Sequence, residues 1–128
     1  MIKNILLTCG EGKFTMKAVV CFALKGINIY LGGGEIPHVG TVVVSQPRPS
    51  LKNKGKISCT TSVFNILGHK DDEIAVPMAE EICKKTNQVV VVTAGVHIEN
   101  ATMEGIDRLK KAGYELTDKI LKSWQEGE

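Results

Sequence analysis

Residues 13–31 read KFTMKAVVCFALKGINIYL, and this stretch predicts the central feature of a β-sheet, a pair of adjacent strands. Over residues 14–24 every second position is apolar, and Lys17 is among the polar residues between them. That period of two is typical of a β-strand with one face buried. The same alternation resumes at Ile27 after a short link that contains Gly26, and this arrangement predicts a β-hairpin.

The rest of the first half repeats the strand pattern in three further segments, residues 2–8, 41–45 and 57–64. The segment 41–45 is expected to end at Pro47, because proline lacks the N–H that a sheet ladder needs. The Pro- and Lys-rich residues 46–56 are predicted to form a mobile surface loop. With the hairpin, these segments predict a five-stranded, mostly antiparallel meander.

The hydrophobic period changes in the second half of the chain. Apolar residues from Ile74 to Cys83 recur at helical spacing, and Asp71 or Asp72 is placed to cap the first turn. Residues 88–93 include four consecutive valines, which is typical of a strand covered on both faces. We therefore expect a helix that is followed by a central strand of the sheet.

The C-terminal part predicts a short helix around residues 103–111, a stop at Gly113 and a terminal helix over residues 116–124. The fold class is therefore α/β in its α+β form. It is a mostly antiparallel sheet of five to six strands with two to three helices packed on one side. Because 128 residues suit a single hydrophobic core, residues 1–128 are expected to form one domain.

The composition excludes several classes of protein. A hydrophobic share of 43% and a charged share of 23% are ordinary for a globular chain. The net charge of +2 and the scattered lysines do not resemble a nucleic-acid-binding surface. No apolar stretch has the length of a signal peptide or a membrane span, so we expect a cytoplasmic protein without a membrane partner.

A sheet with few covering helices leaves apolar surface such as Val42 to Val44, which favours a homodimer.

The four cysteines do not form a motif. Their spacing matches neither a metal-binding CxxC pair nor a compact disulfide framework, so reduced thiols are expected. Most of them fall in predicted strands or on the apolar side of a helix, where a thiol acts as a small hydrophobic group. They are Cys9, Cys21, Cys59 and Cys83.

Three histidines are the main candidates for chemistry. Each lies at a predicted strand end among glycines and polar residues: His38, His69 and His97. Taken singly, each is equally well explained as an isolated loop residue. Taken together, the glycines around all three indicate a backbone that packs closely against something, at strand ends where sites are commonly built. Acidic residues beside them offer further ligands or proton acceptors: Glu35, Asp71, Asp72 and Glu99.

Neighbouring segments offer groups that bind anions. Gly32-Gly33-Gly34 forms either a nest of backbone N–H groups for a phosphate or a simple turn. Lys70 is placed to bring a positive charge to an anion near the following helix start, although Asp71-Asp72-Glu73 also suits ordinary capping. Thr60-Thr61-Ser62 offers hydroxyl donors, as many exposed strands do. Asn100-Ala101-Thr102 is interpreted as the cap of the next helix.

Four of these segments together resemble a known family, the LpdD-type accessory proteins encoded with UbiD-family decarboxylases. The resemblance covers about residues 14–102, and the PHxG and GHKDD segments are its specific part. The four segments are Gly33-Gly34-Glu35-Ile36-Pro37-His38-Val39-Gly40, Thr60-Thr61-Ser62-Val63, Gly68-His69-Lys70-Asp71-Asp72 and Gly95-Val96-His97-Ile98-Glu99-Asn100-Ala101-Thr102. Such proteins are regarded as chaperones for prenylated FMN.

The resemblance implies a protein that holds prenylated FMN, or FMN, and delivers it to a UbiD-type decarboxylase. A flavin prenyltransferase is a second implied partner. The implied cofactor-binding residues are Gly33, Gly34, Glu35, His38, Thr60, Thr61, Ser62, His69, Lys70, Asp71, His97 and Asn100. In the alternative binding mode a divalent metal, held by His38, His69 and His97, bridges to the phosphate.

Two other functions compete with the chaperone. The three histidines are a plausible ligand set for a catalytic zinc with a carboxylate as general base, as in hydrolases. No HExxH or similar close pair is present, so their convergence would depend entirely on the fold. The other competitor is a scaffold subunit that binds the decarboxylase without contacting its flavin.

Overall fold

The structure is a computed structural model that describes residues 2–66 and 71–127. A 3-10 turn, Gly12–Phe14, lies between the first two strands. In chain order the strands and helices are β1 (Lys3–Cys9), β2 (Met16–Phe22), β3 (Ile27–Gly34), β4 (Thr41–Pro49), β5 (Ile57–Asn65), α1 (Asp72–Thr86), β6 (Val90–His97) and α2 (Met103–Glu126). The predicted fold class, a mostly antiparallel sheet with helices packed against it, is confirmed.

The six strands lie in the order β1-β2-β3-β6-β4-β5. The predicted hairpin of β2 and β3 is present, but the continuous five-stranded meander is wrong, because β6 lies between β3 and β4. It pairs in parallel with β3 and antiparallel with β4. Val90 and Val92 are fully buried in the core, whereas Val91 and Thr93 point to the opposite face and are only partly buried, so helices cover this strand on one face and not on both. The predicted central position of this strand is confirmed.

Both helices pack on one face of the sheet, and the core lies between them and the strands. Its largest fully buried side chains come from every layer: Met16, Leu31, Met78, Ile82, Leu116 and Ile120. The opposite face carries exposed apolar residues, among them Leu6, Val19 and Phe64. We call it the open face, because no helix of residues 2–66 and 71–127 covers it.

The C-terminal half contains one long helix where the sequence predicts two. The predicted stop at Gly113 is wrong, because α2 continues through it to Glu126. Gly113 is buried, and a Cβ at this position would lie 2.9 Å from the Cγ2 methyl of Ile74 in α1. The glycine therefore permits close packing of the two helices instead of ending one of them.

Strand β4 is longer than expected and includes Pro47 and Pro49. It pairs with β6 only from Thr41 to Ser45, and beyond that point it pairs with β5 alone. A proline without an N–H is tolerated where one side of the strand carries no ladder. The predicted surface loop over residues 46–56 is therefore shorter, and it is the link of the β4–β5 hairpin.

Across residues 2–66 and 71–127, no helix combines the length and apolar character needed to cross a membrane.

The four cysteines are free thiols, as expected. Burial, and to a smaller extent the nearby Cys59 and Glu80, raise the pKa of the Cys83 thiol to about 11. Cys83 therefore acts as the small hydrophobic group that its position on α1 predicts.

Candidate functional site

The candidate site lies where β3 and β6 end side by side. These parallel strands finish with Gly34 paired to His97. The loop of residues 35–40 then crosses the end of β6 to reach β4. Its backbone is fixed there, because Glu35 N–H donates to His97 O at 2.7 Å and Gly40 N–H donates to Ala94 O at 2.8 Å. This connection brings the loop that bears His38 to the same end of the sheet as His97.

His38 is half-buried and held by oxygen atoms at both ring nitrogens. Its Nδ1 lies 2.9 Å from the carbonyl of Ile36, and its Nε2 lies 3.2 Å from Oδ2 of Asp71. Asp71 is 8% exposed, and its other oxygen, Oδ1, accepts the backbone N–H of Val96 at 2.9 Å. The ring orientation of His38 is therefore set by protein contacts before any ligand binds.

Asp71 precedes α1, as the sequence predicts, but its side chain does not cap the helix. The carboxylate bonds instead to the residue-38 loop and to the end of β6. It therefore connects three segments that are far apart in the sequence. Asp71 occupies the predicted N-cap position of α1, but its side chain contributes to the site and not to the cap.

Two glycines allow this close packing. A Cβ at Gly40 would lie only 1.9 Å from Oδ2 of Asp71, and one at Gly95 would lie 1.8 Å from the carbonyl oxygen of His38. Neither distance leaves room for a side chain. The sequence indicated that the glycines near the histidines permit close approach, and the groups that approach are the protein's own His38 and Asp71.

Tyr30 supports the loop from the open face. Its hydroxyl donates to the carbonyl of His38 at 2.9 Å. Burial, and secondly the charge of Asp71, raise the pKa of Tyr30 above its ordinary value, so the hydroxyl keeps the proton that it donates. No pattern in the sequence singles out Tyr30 for this role, because its hydroxyl and the carbonyl of His38 meet only in the folded protein.

His97 and its neighbours form a more exposed second cluster. The side chain of His97 is 47% exposed, and its Nε2 lies 3.2 Å from Oε1 of Glu99. The backbone N–H of Glu99 donates to Oε1 of Glu35 at 3.0 Å. The three residues proposed from the sequence are thus in direct contact, although 64 positions separate Glu35 from Glu99.

A groove of about 460 Å³ joins the two clusters and extends between the starts of α1 and α2. This volume lies within the range of small-molecule sites, about 300–1,000 Å³. Its polar lining residues are His38, Asp71, Glu73, His97 and Lys110. Its apolar lining residues are Ile74, Val96, Ile98, Ala101, Ile106 and Leu109. Only the tertiary structure reveals the apolar side of this site, because each of these residues follows the ordinary pattern of its own helix or strand.

Among the described residues, the charge of the groove is mainly negative. Asp71 and Glu73 line it, Glu99 contacts its residue His97, and Glu35 lies next to Glu99. Among its described lining residues Lys110 is the one lysine or arginine, and its Nζ lies 3.8 Å from Oε2 of Glu73. An anionic ligand would therefore need Lys110, a cation from outside the described residues, or a bound metal.

Other residues from the sequence prediction lie elsewhere. Thr61 faces α1 and donates to Glu80 at 2.6 Å, whereas Thr60 lies on the opposite face and accepts from Arg48. Neither they nor Ser62 line the groove. Asn100 has a left-handed backbone, with φ of 53°, and the cap of α2 is Thr102, whose hydroxyl accepts Gly105 N–H at 3.0 Å.

Residues 32–34 form neither the glycine nest nor the simple turn that the sequence left open. Gly32, Gly33 and Gly34 continue β3, pair with β6 and leave no concave turn. The N–H of Gly34 donates to the carbonyl of Thr15 at 3.0 Å, so it is not available for a phosphate. His69 and Lys70, which complete the predicted site, lie outside the described residues.

No three His, Cys, Asp or Glu side chains of residues 2–66 and 71–127 are placed to bind one metal ion. His38 and His97 line the same groove but bond to different carboxylates, Asp71 and Glu99. The predicted set of three histidines includes His69, so the metal alternative stays a prediction.

Comparisons with known proteins place this geometry in context. A family model described as the prenylated flavin chaperone LpdD-like domain matches residues 10–125. No curated protein matches the chain. Among solved structures, the chain is similar to one in a chaperone complex for yeast 20S proteasome assembly, with a TM-score of 0.59 and 16% identity. That match covers 98% of this chain and 96% of the other, and at this identity it shows the fold alone.

Proposed function

The chain belongs to the family of LpdD-like prenylated-flavin chaperones, and we propose that it binds prenylated FMN in the groove and delivers it to a UbiD-type decarboxylase. The chaperone role follows from the family. The position of the ligand and the identity of the recipient are our proposals.

The observation that carries the proposed position is the two-sided lining of the groove. A prenylated flavin has an apolar ring system and a polar, phosphorylated chain. The groove offers apolar side chains such as Ile74, Ile106 and Leu109, together with polar groups at His38 and His97. Ligand sites in general combine a mostly apolar surface with a few placed polar groups.

The phosphate is expected beside a lysine. Gly32 to Gly34 continue a strand and do not form a nest for it, and the candidate lysines are Lys110, which lines the groove, and Lys70. Lys110 is separated from Glu73 by 3.8 Å and is 42% exposed, so this weak pair is easily exchanged for a phosphate contact. A divalent metal that bridges the phosphate to the carboxylates is the alternative mode.

Delivery requires a site from which the ligand can leave. His97 and Glu99 are 47% and 65% exposed, so one side of the site faces solvent. The recipient that we propose is the UbiD-type decarboxylase, and the donor is a flavin prenyltransferase. We also propose that the protein acts as a homodimer in the cytoplasm, where its four free thiols would stay reduced.

Titration with prenylated FMN tests the binding proposal. Replacing Ile106, which lines the groove, with Asn should weaken binding because it puts an amide against the ring. Ile57→Asn is the matched control, because Ile57 is 38% exposed at the start of β5 and lies outside the groove. His97→Ala should also weaken binding while the protein melts within a few degrees of the parent, since exposed polar groups contribute little to stability.

Equal affinities of the parent, Ile106→Asn and His97→Ala would place the flavin elsewhere. A parent protein that does not bind prenylated FMN but still binds the decarboxylase would identify a scaffold subunit.

Delivery itself is measured by adding the loaded protein to decarboxylase without cofactor. Activation should then be faster or more complete than with the same amount of free cofactor.

The competing enzyme is tested separately. A zinc hydrolase requires a bound metal at near-stoichiometric amounts and turnover that is lost on chelation. Metal analysis of the purified protein, combined with hydrolase assays before and after chelation, therefore decides this alternative without reference to flavin.

A further inference from the structure

The open face of the sheet carries two adjacent rows of side chains without a charge. One row runs in register across all six strands, through Leu6, Val19, Tyr30, Thr93, Val42 and Phe64. The neighbouring row runs from Asn4 in β1 to Ser62 in β5 and is also uncharged. On a chain with 23% charged residues, such a surface is unusual for a face that stays in water.

The large apolar side chains of the open face are exposed to solvent in the single chain. Leu6, Val19 and Phe64 are 62%, 49% and 68% exposed, and they belong to three different strands of the same row. An uncharged row of this kind across a whole sheet is typical of an interaction surface, whereas single exposed apolar residues are ordinary.

We propose that the open face pairs with the open face of a second copy, so that two sheets stack in a homodimer. This inference deepens the proposed homodimer by naming its surface, and it does not depend on flavin binding. In a two-fold interface the same surface meets itself, so any charged side chain near the axis would face its own like charge. A face with two uncharged rows avoids this conflict and is therefore complementary to itself.

The size of the face suits a dimer. Five spacings of about 4.8 Å between six strands give a width of about 24 Å. Strands of 7 to 9 residues give a length of about 25 Å at about 3.3 Å per residue. Burying about 600 Å² on each copy removes about 1,200 Å² in total, the lower end of the range for stable complexes. Stacked sheets also pack face to face with their side chains interdigitated.

The first test is the mass of the protein in solution without ligand. The parent should have twice the 13.9 kDa of the single chain by light scattering. Val19→Glu should reduce the mass to that of one chain, because it places a buried charge within the interface. Val63→Glu is the matched control: Val63 is 44% exposed but lies on the helix side of the sheet, in register with buried Val43. It should stay dimeric.

The second test uses the unmodified protein, so it does not depend on whether a variant folds. Cys21 belongs to the uncharged row that starts at Asn4, whereas Cys59 lies on the helix side in register with Pro47. Both thiols are partly exposed. A water-soluble thiol reagent should modify Cys21 more slowly as the protein concentration rises, and the rate at Cys59 should not change.

Three outcomes would overturn the proposal. The first is a parent of 13.9 kDa at all concentrations up to those of the labelling experiment. The second is a protein that passes from monomer to dimer over the concentration range while Cys21 is labelled at the same rate throughout, since sheets joined by their edge strands leave the face exposed. The third is protection of Cys21 only when decarboxylase is added, which assigns the face to that enzyme.

Discussion

At the scale of single residues, the site depends on the carboxylate of Asp71. It binds Nε2 of His38 at 3.2 Å and the N–H of Val96 at 2.9 Å, and both bonds lie in a nearly buried environment. Gly40 and Gly95 leave the space that this arrangement needs. Asp71 is therefore a positioning residue for His38, in addition to any contact with the ligand.

Asp71→Ala should lower the free energy of unfolding by roughly 1–3 kcal/mol, because it leaves the N–H of Val96 without its acceptor. Asp71→Asn keeps an oxygen that can accept this N–H and loses the negative charge beside His38, so its effect should be smaller. Urea unfolding followed by circular dichroism measures both variants. Equal losses for Ala and Asn would show that the charge, and not the hydrogen bond to Val96, stabilises the fold.

Cys83 predicts a pH dependence of stability. Its pKa is raised from 9.0 to about 11, chiefly by burial, so the folded protein holds the thiol proton more tightly than the unfolded chain does. The stabilisation that this provides is complete below pH 9.0 and is lost as the pH rises from there towards about 11. Denaturant unfolding at a series of pH values should show this loss, and Cys83→Ala should lack that part of it. Identical pH profiles of parent and variant would contradict the assignment.

At the scale of helices and strands, the contact between α1 and α2 sets the shape of the groove. Ile74 of α1 and Ile106 and Leu109 of α2 all line it, and the two helices approach closely where Gly113 meets Ile74. Thr117, one turn further along α2, donates its hydroxyl to the carbonyl of Gly113 at 2.9 Å. The helix therefore remains regular through the glycine.

Gly113→Ala should destabilise the protein by about 1–3 kcal/mol, although alanine is a better helix former, because its methyl would lie 2.9 Å from Ile74 Cγ2. Adding Ile74→Ala removes the opposing methyl, so the two substitutions should compensate in part. A double-mutant cycle of unfolding free energies measures this coupling. A stabilised Gly113→Ala variant would show that the two helices are not closely packed at this point.

At the scale of the whole molecule, a ligand that binds only the folded protein must stabilise it. At a free concentration of 100 times its Kd, a flavin should raise the free energy of unfolding by about 2.7 kcal/mol. FMN should bind more tightly than riboflavin if Lys70 or Lys110 contacts the phosphate, because each hydrogen bond to a charged group contributes about 1.5–3 kcal/mol. Calorimetric titration and thermal unfolding measure the two ligands side by side.

Lys70→Ala and Lys110→Ala divide this effect between the two lysines. The variant that removes the phosphate contact should bind FMN more weakly and riboflavin as before. Lys119→Ala is the matched control, because Lys119 donates to the carbonyl of Thr8 and lies outside the groove. If the parent binds FMN and riboflavin with equal affinity, neither lysine holds a phosphate.

Much of the architecture follows from local patterns in the sequence. The period of two over residues 14–24 determines a strand, the run of valines at 89–92 determines a central one, and the spacing from Ile74 to Cys83 determines a helix. These patterns predict secondary structure because each depends only on which side chains share a face. The positions of His38 and His97 at strand ends are predicted for the same reason.

The strand order and the candidate site depend on contacts between parts of the chain that are far apart in the sequence. The insertion of β6 between β3 and β4 brings His38 next to Asp71 and places His97 in the same groove, and no local pattern encodes that strand order. The glycines at 32–34 and 113 were interpreted from local rules as a turn or nest and as a helix stop. Their roles come instead from neighbours remote in sequence, because packing overrides the weak conformational preference of a single glycine.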